Sequence, residues 1–169
     1  MNTAITSDTT VADSCILMRV GALANFGRPE TETCEQVAER RRRAGESETR
    51  PLILVADDES LICCTVVEIL RSEGYDAVAV MDGAAAVECA GKTEPTILLV
   101  DVMMPGMNGI DAAKEISQAH PGIRVICFSG HAASSELLNE AQAQGHEFEF
   151  LSKPIRPEAL INAIRKNRA

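Results

Sequence analysis

The 169-residue chain has 16 Lys and Arg against 25 Asp and Glu, a formal net charge of −9 at pH 7. This acidic balance disfavours direct binding to DNA or RNA phosphates. The length fits one domain with a tail. The one apolar patch near the amino terminus is broken by Arg19 and Gly21, so we expect neither a signal peptide nor a membrane span, and a cytoplasmic protein.

The first 50 residues differ in composition from the rest. They are rich in Thr, Ser, Ala, Glu and Arg, include four consecutive arginines from Arg40 to Arg43, and end in the linker-like stretch "AGESETRP". We predict an irregular, largely disordered extension over residues 1–50 and a folded domain over residues 51–169. For the arginine run, a solvated helix end or linker is favoured over a contact surface for acidic partners or phosphates.

Six cysteines are scattered along the chain, and no two show the C-x-x-C spacing of a metal or redox site. They are Cys15, Cys34, Cys63, Cys64, Cys89 and Cys127. We interpret them as small apolar residues of a reduced, cytoplasmic protein.

From Pro51 onward, five apolar runs of strand length alternate with stretches of helical periodicity. The predicted strands cover residues 52–56, 75–80, 96–100, 123–129 and 148–151, and the helices that follow them cover 58–72, 82–91, 110–119, 132–144 and 157–167. Leu61, Val66 and Leu70 belong to the apolar pattern of the first of these helices, and Asp82 is a predicted N-cap. Five strand–helix units predict a doubly wound α/β fold with a five-stranded parallel sheet and helices on both faces.

Polar side chains stand where four of these strands end. Asp57 and Asp58 follow the first strand, Asp101 the third, Ser129 ends the fourth, and Lys153 follows the fifth. Taken singly, each has an ordinary structural explanation as a helix cap, a turn residue, a loop residue or a solvated charge. Ligands of such sheets bind beyond the carboxyl ends of the strands, so the coincidence of all five favours a functional site.

This set of residues suits metal-assisted phosphoryl transfer to a carboxylate. Clustered carboxylates repel one another unless a cation lies among them, and Mg²⁺ prefers oxygen ligands, with Mn²⁺ as an alternative ion. We expect Asp57 and Asp58 to hold the ion and Asp101 to serve as both ligand and nucleophile. The Lys153 ammonium would supply positive charge, and the Ser129 hydroxyl a hydrogen bond, to the negatively charged transferring group.

The motifs "LVADDE" (54–59), "LLVDVMMPGMNGID" (98–111), "ICFSG" (126–130) and "FLSKP" (150–154) resemble those of a response-regulator receiver domain of bacterial two-component signalling. The resemblance covers about residues 51–167. It implies a flavodoxin-like sheet of strand order 2-1-3-4-5 flanked by five helices.

The resemblance also implies a role for each matching residue. Asp101 matches the phosphoacceptor, Asp57 and Asp58 the magnesium-binding pair, Met103 the residue whose backbone carbonyl is a further metal ligand, Ser129 and Phe150 the switch residues, and Lys153 the lysine that precedes a cis peptide bond to Pro154. Two departures stand out. Phe150 lies where many relatives carry Tyr, and one extra residue lies between Gly145 and Lys153.

The implied function is signalling rather than enzyme catalysis of an external substrate. A sensor histidine kinase or histidine phosphotransfer protein would phosphorylate Asp101, and the surface of the domain's fourth helix, fifth strand and fifth helix, residues 132–167, would change for a downstream protein or onward phosphotransfer. No output domain follows, so we expect protein contact to carry the signal. The chain would be a monomer or a phosphorylation-dependent dimer.

The three histidines from residue 120 onward and Met103 have other expected roles. His120, His131 and His146 are isolated, and surface or loop roles are favoured over a phosphodonor role. Met103 and His131, which flank the site, are expected to tune the phosphoryl lifetime.

Two alternative functions remain at this stage. The first is a phosphorylation-independent scaffold of the same fold, which a failure to bind Mg²⁺ would favour. The second is an aspartyl-phosphate hydrolase of the haloacid dehalogenase type. That class needs a second acid two residues after the nucleophile, where this chain has Met103.

Overall fold

The computed structural model describes residues 32–44, 50–130 and 134–166. The chain divides into two units, Met1–Glu30 and Thr31–Ala169, and all described residues lie in the second. In chain order the elements are α1 (Cys34–Ala44), β1 (Leu52–Ala56), α2 (Ser60–Ser72), β2 (Asp76–Val80), α3 (Gly83–Thr93), β3 (Ile97–Asp101), α4 (Gly109–Ala119), β4 (Arg124–Ser129), α5 (Ser134–Ala143), β5 (Glu149–Ser152) and α6 (Pro157–Arg165).

The five strands form one parallel sheet in the order β2-β1-β3-β4-β5, which confirms the predicted fold class. Strands β1 and β3 are buried along their whole length because helices cover both faces of the sheet. Alternate residues supply two separate cores. Leu54 and Leu98 pack with α1, α3, α4 and α5 on one face, while Ile53 and Leu99 pack with α2 and α6 on the other.

Two helices, α3 and α4, begin directly after a side chain that caps them. The Asp82 side chain accepts a hydrogen bond from the backbone N–H of Ala85 at 2.8 Å, which confirms the predicted cap of α3. The Asn108 side chain accepts one from the N–H of Asp111 at 2.9 Å at the start of α4. Such caps satisfy amides that have no partner inside the helix, and they fix where the chain turns away from the sheet.

Helix α1 is a correction to the prediction that residues 1–50 are a disordered extension. Val37 is fully buried and Ala38 nearly so, and α1 packs against α3 and β2. Two adjacent apolar residues give a helix only a narrow buried stripe, so the pattern did not stand out in the sequence. The rest of that predicted extension, except residues 32, 33 and 50, lies outside the described residues.

The arginine run of α1 divides into two pairs. The guanidinium groups of Arg40 and Arg41 lie 3.1 and 3.4 Å from the Asp76 carboxylate at the start of β2. Arg42 and Arg43 instead pair with Glu39 one turn earlier in the same helix and are well exposed. The second pair therefore agrees with the predicted solvated helix end, whereas the first pair fastens α1 to the sheet.

The interpretation of all six cysteines as reduced apolar residues is wrong for one pair. Cys34 in α1 and Cys89 in α3 form a disulfide, with Cα atoms 5.5 Å apart and a sequence separation of 55. Only the packing of α1 against α3 brings them together, so their spacing in the sequence carried no signal. Cys63 and Cys127 are free and buried, and burial raises the pKa of each thiol to about 12.

Within the described residues, no helix combines the length and the apolar character needed to cross a membrane.

Candidate functional site

The candidate site lies at one edge of the sheet, where four strands end. Asp57 follows β1, Asp101 ends β3, Ser129 ends β4 and Lys153 follows β5. Backbone hydrogen bonds continue past the regular strands, since the N–H of Asp57 donates to the carbonyl of Val80 at 3.2 Å and the N–H of Lys153 to that of Ser129 at 3.0 Å. These bonds hold the side chains in register on the rigid sheet rather than on free loops.

Three carboxylates converge at this edge. One oxygen each of Asp57, Asp58 and Asp101 lies within 4.8 Å of the other two. Asp57 is completely buried and Asp101 is 5% exposed, whereas Asp58 is exposed. Two buried negative charges this close are stable only with positive charge beside them.

Lys153 supplies that positive charge. Its Nζ donates to Asp57 Oδ2 at 2.9 Å and to Asp101 Oδ2 at 2.8 Å, and it lies 3.9 Å from Glu59 Oε1. The ammonium also lies 5.3 Å from the centre of the Phe128 ring, within the range of a cation–π contact. Burial alone would lower the pKa of Lys153, but the hydrogen bonds to Asp101 and Asp57 outweigh it and raise the pKa above its usual value.

Desolvation has the larger effect on Asp57. Burial raises the pKa of this carboxyl above its ordinary value, although the hydrogen bonds from Lys153 and from the backbone N–H of Glu59 act in the opposite direction. A second cation nearby would further stabilise the ionised Asp57 carboxylate.

Backbone amides orient the two buried carboxylates. The N–H of Glu59 donates to Asp57 Oδ1 at 2.8 Å, and the N–H of Met103 donates to Asp101 Oδ1 at 3.3 Å. Each bond joins a carboxylate to the amide two residues later, as in an Asx turn. Both aspartates thus present one oxygen to the backbone and the other to Lys153.

The close approach of α4 to Asp101 was not predicted from the sequence. A Cβ built on Gly109 would lie 1.9 Å from the Asp101 carbonyl oxygen, and one built on Gly83 would lie 2.5 Å from that of Met107. Only residues without a side chain fit at these two helix starts. The available signal was a glycine directly after a capping residue, since Asp82 precedes one and Asn108 the other.

The remaining predicted site residues lie around this centre. Ser129 is 3% exposed and Phe150 is 47% exposed, and the Lys153–Pro154 peptide bond is cis. His120 and His146 lie at the other edge of the sheet, before β4 and β5, where the His146 ring stacks on Phe148 with centroids 5.4 Å apart. His131 lies outside the described residues.

Three exposed apolar side chains lie at or near the strand ends that carry the acidic centre, and their exposure was not predicted from the sequence. Met81 directly follows β2 and is 39% exposed, and Met103 is 47% exposed. Leu61, in the first turn of α2, is 79% exposed although it belongs to the apolar pattern of that helix. Helical periodicity could not reveal this, because a first-turn residue can extend past the end of the sheet.

Residues 53–165 match the family model of the response regulator receiver domain. The chain belongs to the response-regulator receiver family. This receiver domain is 30% identical over 115 residues to the chemotaxis protein CheY of Thermotoga maritima, an alignment that covers 68% of this chain and 94% of CheY. It is also similar to the solved structure of Vibrio cholerae CheY4, with a TM-score of 0.64 and 26% identity over 70% of this chain and 98% of the other.

Other relatives are longer proteins. The DNA-binding response regulator MtrA of Mycolicibacterium paratuberculosis is 28% identical over 116 residues, which cover 69% of this chain and 50% of MtrA. The chain therefore spans about half the length of that relative, and the similarity concerns the receiver domain.

The donor set of the receiver domain fits a hard divalent cation. Three carboxylate side chains within 4.8 Å of one another provide oxygen ligands of the kind that Mg²⁺ binds. One of the three, Asp58, is exposed and open to solvent, so an ion keeping several of its waters can reach the cluster. The residues present therefore fit the Mg²⁺ that receiver domains bind at an acidic pocket.

Proposed function

We propose that this chain is a phosphorylation-controlled signalling receiver whose phosphoacceptor is Asp101. The observation that carries the proposal is the position of the Lys153 ammonium, 2.8 Å from Asp101 and 2.9 Å from Asp57, beside a third carboxylate. A carboxylate nucleophile needs a positive charge that can move onto the incoming phosphoryl oxygens. Lys153 and a bound cation together meet that need.

The proposed step is transfer from a phosphohistidine. An Asp101 carboxylate oxygen attacks phosphorus, the P–N bond to the donor imidazole breaks, and the bonding electrons leave with the imidazole nitrogen. The product is an acyl phosphate on Asp101, whose phosphoryl group carries about −1.5 to −2 charge at pH 7 in place of the single negative charge of the free carboxylate. The N–H of Met103 donates to Asp101 Oδ1, and this hydrogen bond orients the carboxylate for the attack.

Asp57, Asp58, Asp101 and the backbone carbonyl of Met103 are the proposed ligands of Mg²⁺, with Mn²⁺ as an alternative. When bound, the ion neutralises the carboxylates and draws charge from the phosphoryl oxygens. Lys153 would then turn from Asp57 towards the phosphoryl group, and Asp57 would stay ionised beside the metal.

The proposed switch is carried by Ser129 and Phe150. Ser129 is buried at the end of β4, and its neighbour in register on β5 is Ser152, two residues beyond Phe150. We infer that the Ser129 hydroxyl binds the phosphoryl group and that the exposed Phe150 ring moves inward as it does so. This motion would reshape the surface of α5, β5 and α6 and shift an equilibrium between two conformations that already exists.

The proposed partners follow from this chemistry. A sensor histidine kinase or a histidine phosphotransfer protein supplies the phosphoryl group, and a downstream protein, a further phosphotransfer protein or a second copy of the chain reads the surface of α5, β5 and α6. The net charge of −9 disfavours DNA as the direct target of this domain.

The test is phosphoryl uptake by the full chain with Mg²⁺ and acetyl phosphate, followed by intact-mass measurement. We expect one added phosphoryl group in the wild type, none in Asp101→Asn, and none when a chelator removes the divalent cation. Asp82→Asn is the matched control, because Asp82 is an exposed helix cap and Asn caps a helix as well as Asp does.

Two outcomes would contradict the proposal. If the wild type accepts no phosphoryl group from acetyl phosphate or from a phosphorylated histidine phosphotransfer protein, the scaffold alternative is correct. Steady release of inorganic phosphate over many turnovers would favour the hydrolase alternative, although the apolar Met103 stands where a hydrolase needs its second acid.

A further inference from the structure

Helix α1 is a part of this molecule that the family match does not include. The matched residues begin at 53, whereas α1 covers Cys34–Ala44. It lies against α3 and against β2, the edge strand of the sheet. The helix therefore occupies a helix surface, and a place beside the edge strand, that the matched residues alone leave open to other proteins.

Non-covalent contacts hold α1 only weakly. Val37 and Ala38 are its buried residues, and an isolated helix of 11 residues is marginal in water. Its ion pairs to the domain join partly exposed side chains. Arg40, which pairs with Asp76, is 43% exposed, and Glu35, which pairs with Lys92, is 66% exposed. Arg41, which pairs with the same Asp76 carboxylate, is 17% exposed. Exposed pairs contribute little each, so we infer that the disulfide between Cys34 and Cys89 is the strongest single attachment.

The two sulfur atoms differ in access. Cys34 is half-buried, whereas Cys89 is 2% exposed and belongs to the core beside Val37. Cys34 is therefore the more accessible partner for an external thiol, while Cys89 remains covered. This is the arrangement of an attacked sulfur and a protected resolving sulfur. The disulfide joins α1 to α3 at the margin of the core that contains Cys89.

We propose that Cys34 and Cys89 form a reversible thiol–disulfide couple that controls whether α1 stays attached to the receiver domain. In the oxidising direction the Cys34 thiolate attacks glutathione disulfide, and one glutathione thiolate leaves. Cys89 then attacks Cys34 Sγ, and the second glutathione thiolate leaves. Two electrons and two protons pass from the cysteine pair to glutathione, and reduction follows the same steps in reverse.

Reduction would uncover a new surface. Release of α1 exposes the outer side of α3 and the free edge of β2, including the apolar position that Val37 fills. Helix α3 also begins at Gly83, in contact with Met107 in the loop that follows Asp101. The Cys34–Cys89 couple thus involves α3, a helix that contacts the loop after Asp101. The proposed redox change does not require phosphorylation of Asp101.

The test is hydrogen–deuterium exchange of the full wild-type chain in glutathione buffers of defined ratio, with the redox state read by intact mass after thiol alkylation. We expect the α1 amides to exchange at least about tenfold faster in the reduced protein, since local opening no longer has to overcome the cross-link. The amides of α2 should exchange equally in both states. Cys34→Ser should show fast exchange of α1 in every buffer, and Cys64→Ser should keep the redox dependence.

Three results would overturn the proposal. Equal exchange of α1 in the oxidised and reduced wild type would show that the disulfide does not hold the helix. A native protein whose cysteines stay reduced in glutathione disulfide would show that the couple does not form. A disulfide that glutathione reduces only after denaturation would be a permanent cross-link. None of these outcomes bears on phosphoryl uptake by Asp101.

Discussion

Replacement of Gly109 by alanine tests how tightly the start of α4 is packed on the phosphoacceptor strand. The added Cβ would lie 1.9 Å from the Asp101 carbonyl oxygen and 2.8 Å from Val100 Cγ2. Because real Cβ atoms keep at least 3.0 Å from such neighbours, the helix start and the end of β3 must separate by about 1 Å. The obstacle is backbone, so no side-chain rotation relieves it.

Two costs add in this variant. Overpacking of a dense region costs about 1–3 kcal/mol. The displacement also weakens the hydrogen bond from the Gly109 N–H to the Val102 carbonyl, now 3.1 Å, which is worth about 1 kcal/mol. We therefore expect Gly109→Ala to lower the free energy of unfolding by about 2–4 kcal/mol and the midpoint of thermal unfolding by roughly 10 °C.

The assay is thermal and urea unfolding of Gly109→Ala beside Gly91→Ala. Gly91 lies in α3 and has no atom within 4 Å of an added Cβ, so alanine there should stabilise the helix by about 0.5–1 kcal/mol. Phosphoryl uptake should fall by up to about 100-fold in Gly109→Ala, because a shift of about 1 Å misplaces Asp101. A Gly109→Ala protein as stable as Gly91→Ala would refute the inferred contact.

Three further predictions concern other parts of the molecule. Lys153→Met should retain Mg²⁺ binding, measured by calorimetry, but should accept phosphoryl groups about 10–100-fold more slowly, because the charge-assisted hydrogen bond from Lys153 to the transferring phosphoryl group is lost; an unchanged rate would contradict the role of Lys153. The hydrogen bond from Arg124 lowers the pKa of Glu149 in the folded protein below its ordinary 4.5. The Arg124–Glu149 pair therefore stabilises the folded state fully above pH 4.5, and this stabilisation is lost as the pH falls through the lowered pKa of the folded protein. Glu149→Gln should therefore cost at most about 0.5 kcal/mol at pH 7, and urea unfolding should show that cost disappearing in acid. Under oxidising conditions Cys34→Ser should lower the free energy of unfolding by about 2–4 kcal/mol, since the cross-link spans 55 residues, and reductant should remove most of the difference from wild type.

The candidate site shows where prediction from sequence succeeds. Asp57, Asp101 and Lys153 each follow an apolar strand, and parallel strands carry their carboxyl ends to one edge. Their convergence could thus be anticipated from order along the chain. The distances could not. Whether Lys153 contacts both aspartates depends on how far each loop lifts its side chain from the sheet, and that is set by backbone bonds such as Glu59 N–H to Asp57.

Exposure shows where prediction from sequence fails. Leu61 belongs to the apolar pattern of α2 yet is 79% exposed, and Phe150 on β5 is 47% exposed. Periodicity assigns a residue to a face of its own element. It does not say whether another element lies opposite that face.

The sequence by itself determined the alternation of strands and helices, the parallel sheet and the set of residues at its carboxyl edge, because each depends on local pattern and chain order. Tertiary structure alone decided that Cys34 meets Cys89, that α1 packs against α3 and β2, and that α4 permits no side chain at Gly109. Those contacts join segments far apart in the chain or depend on approaches of a few ångströms, and only the packed backbone sets such distances.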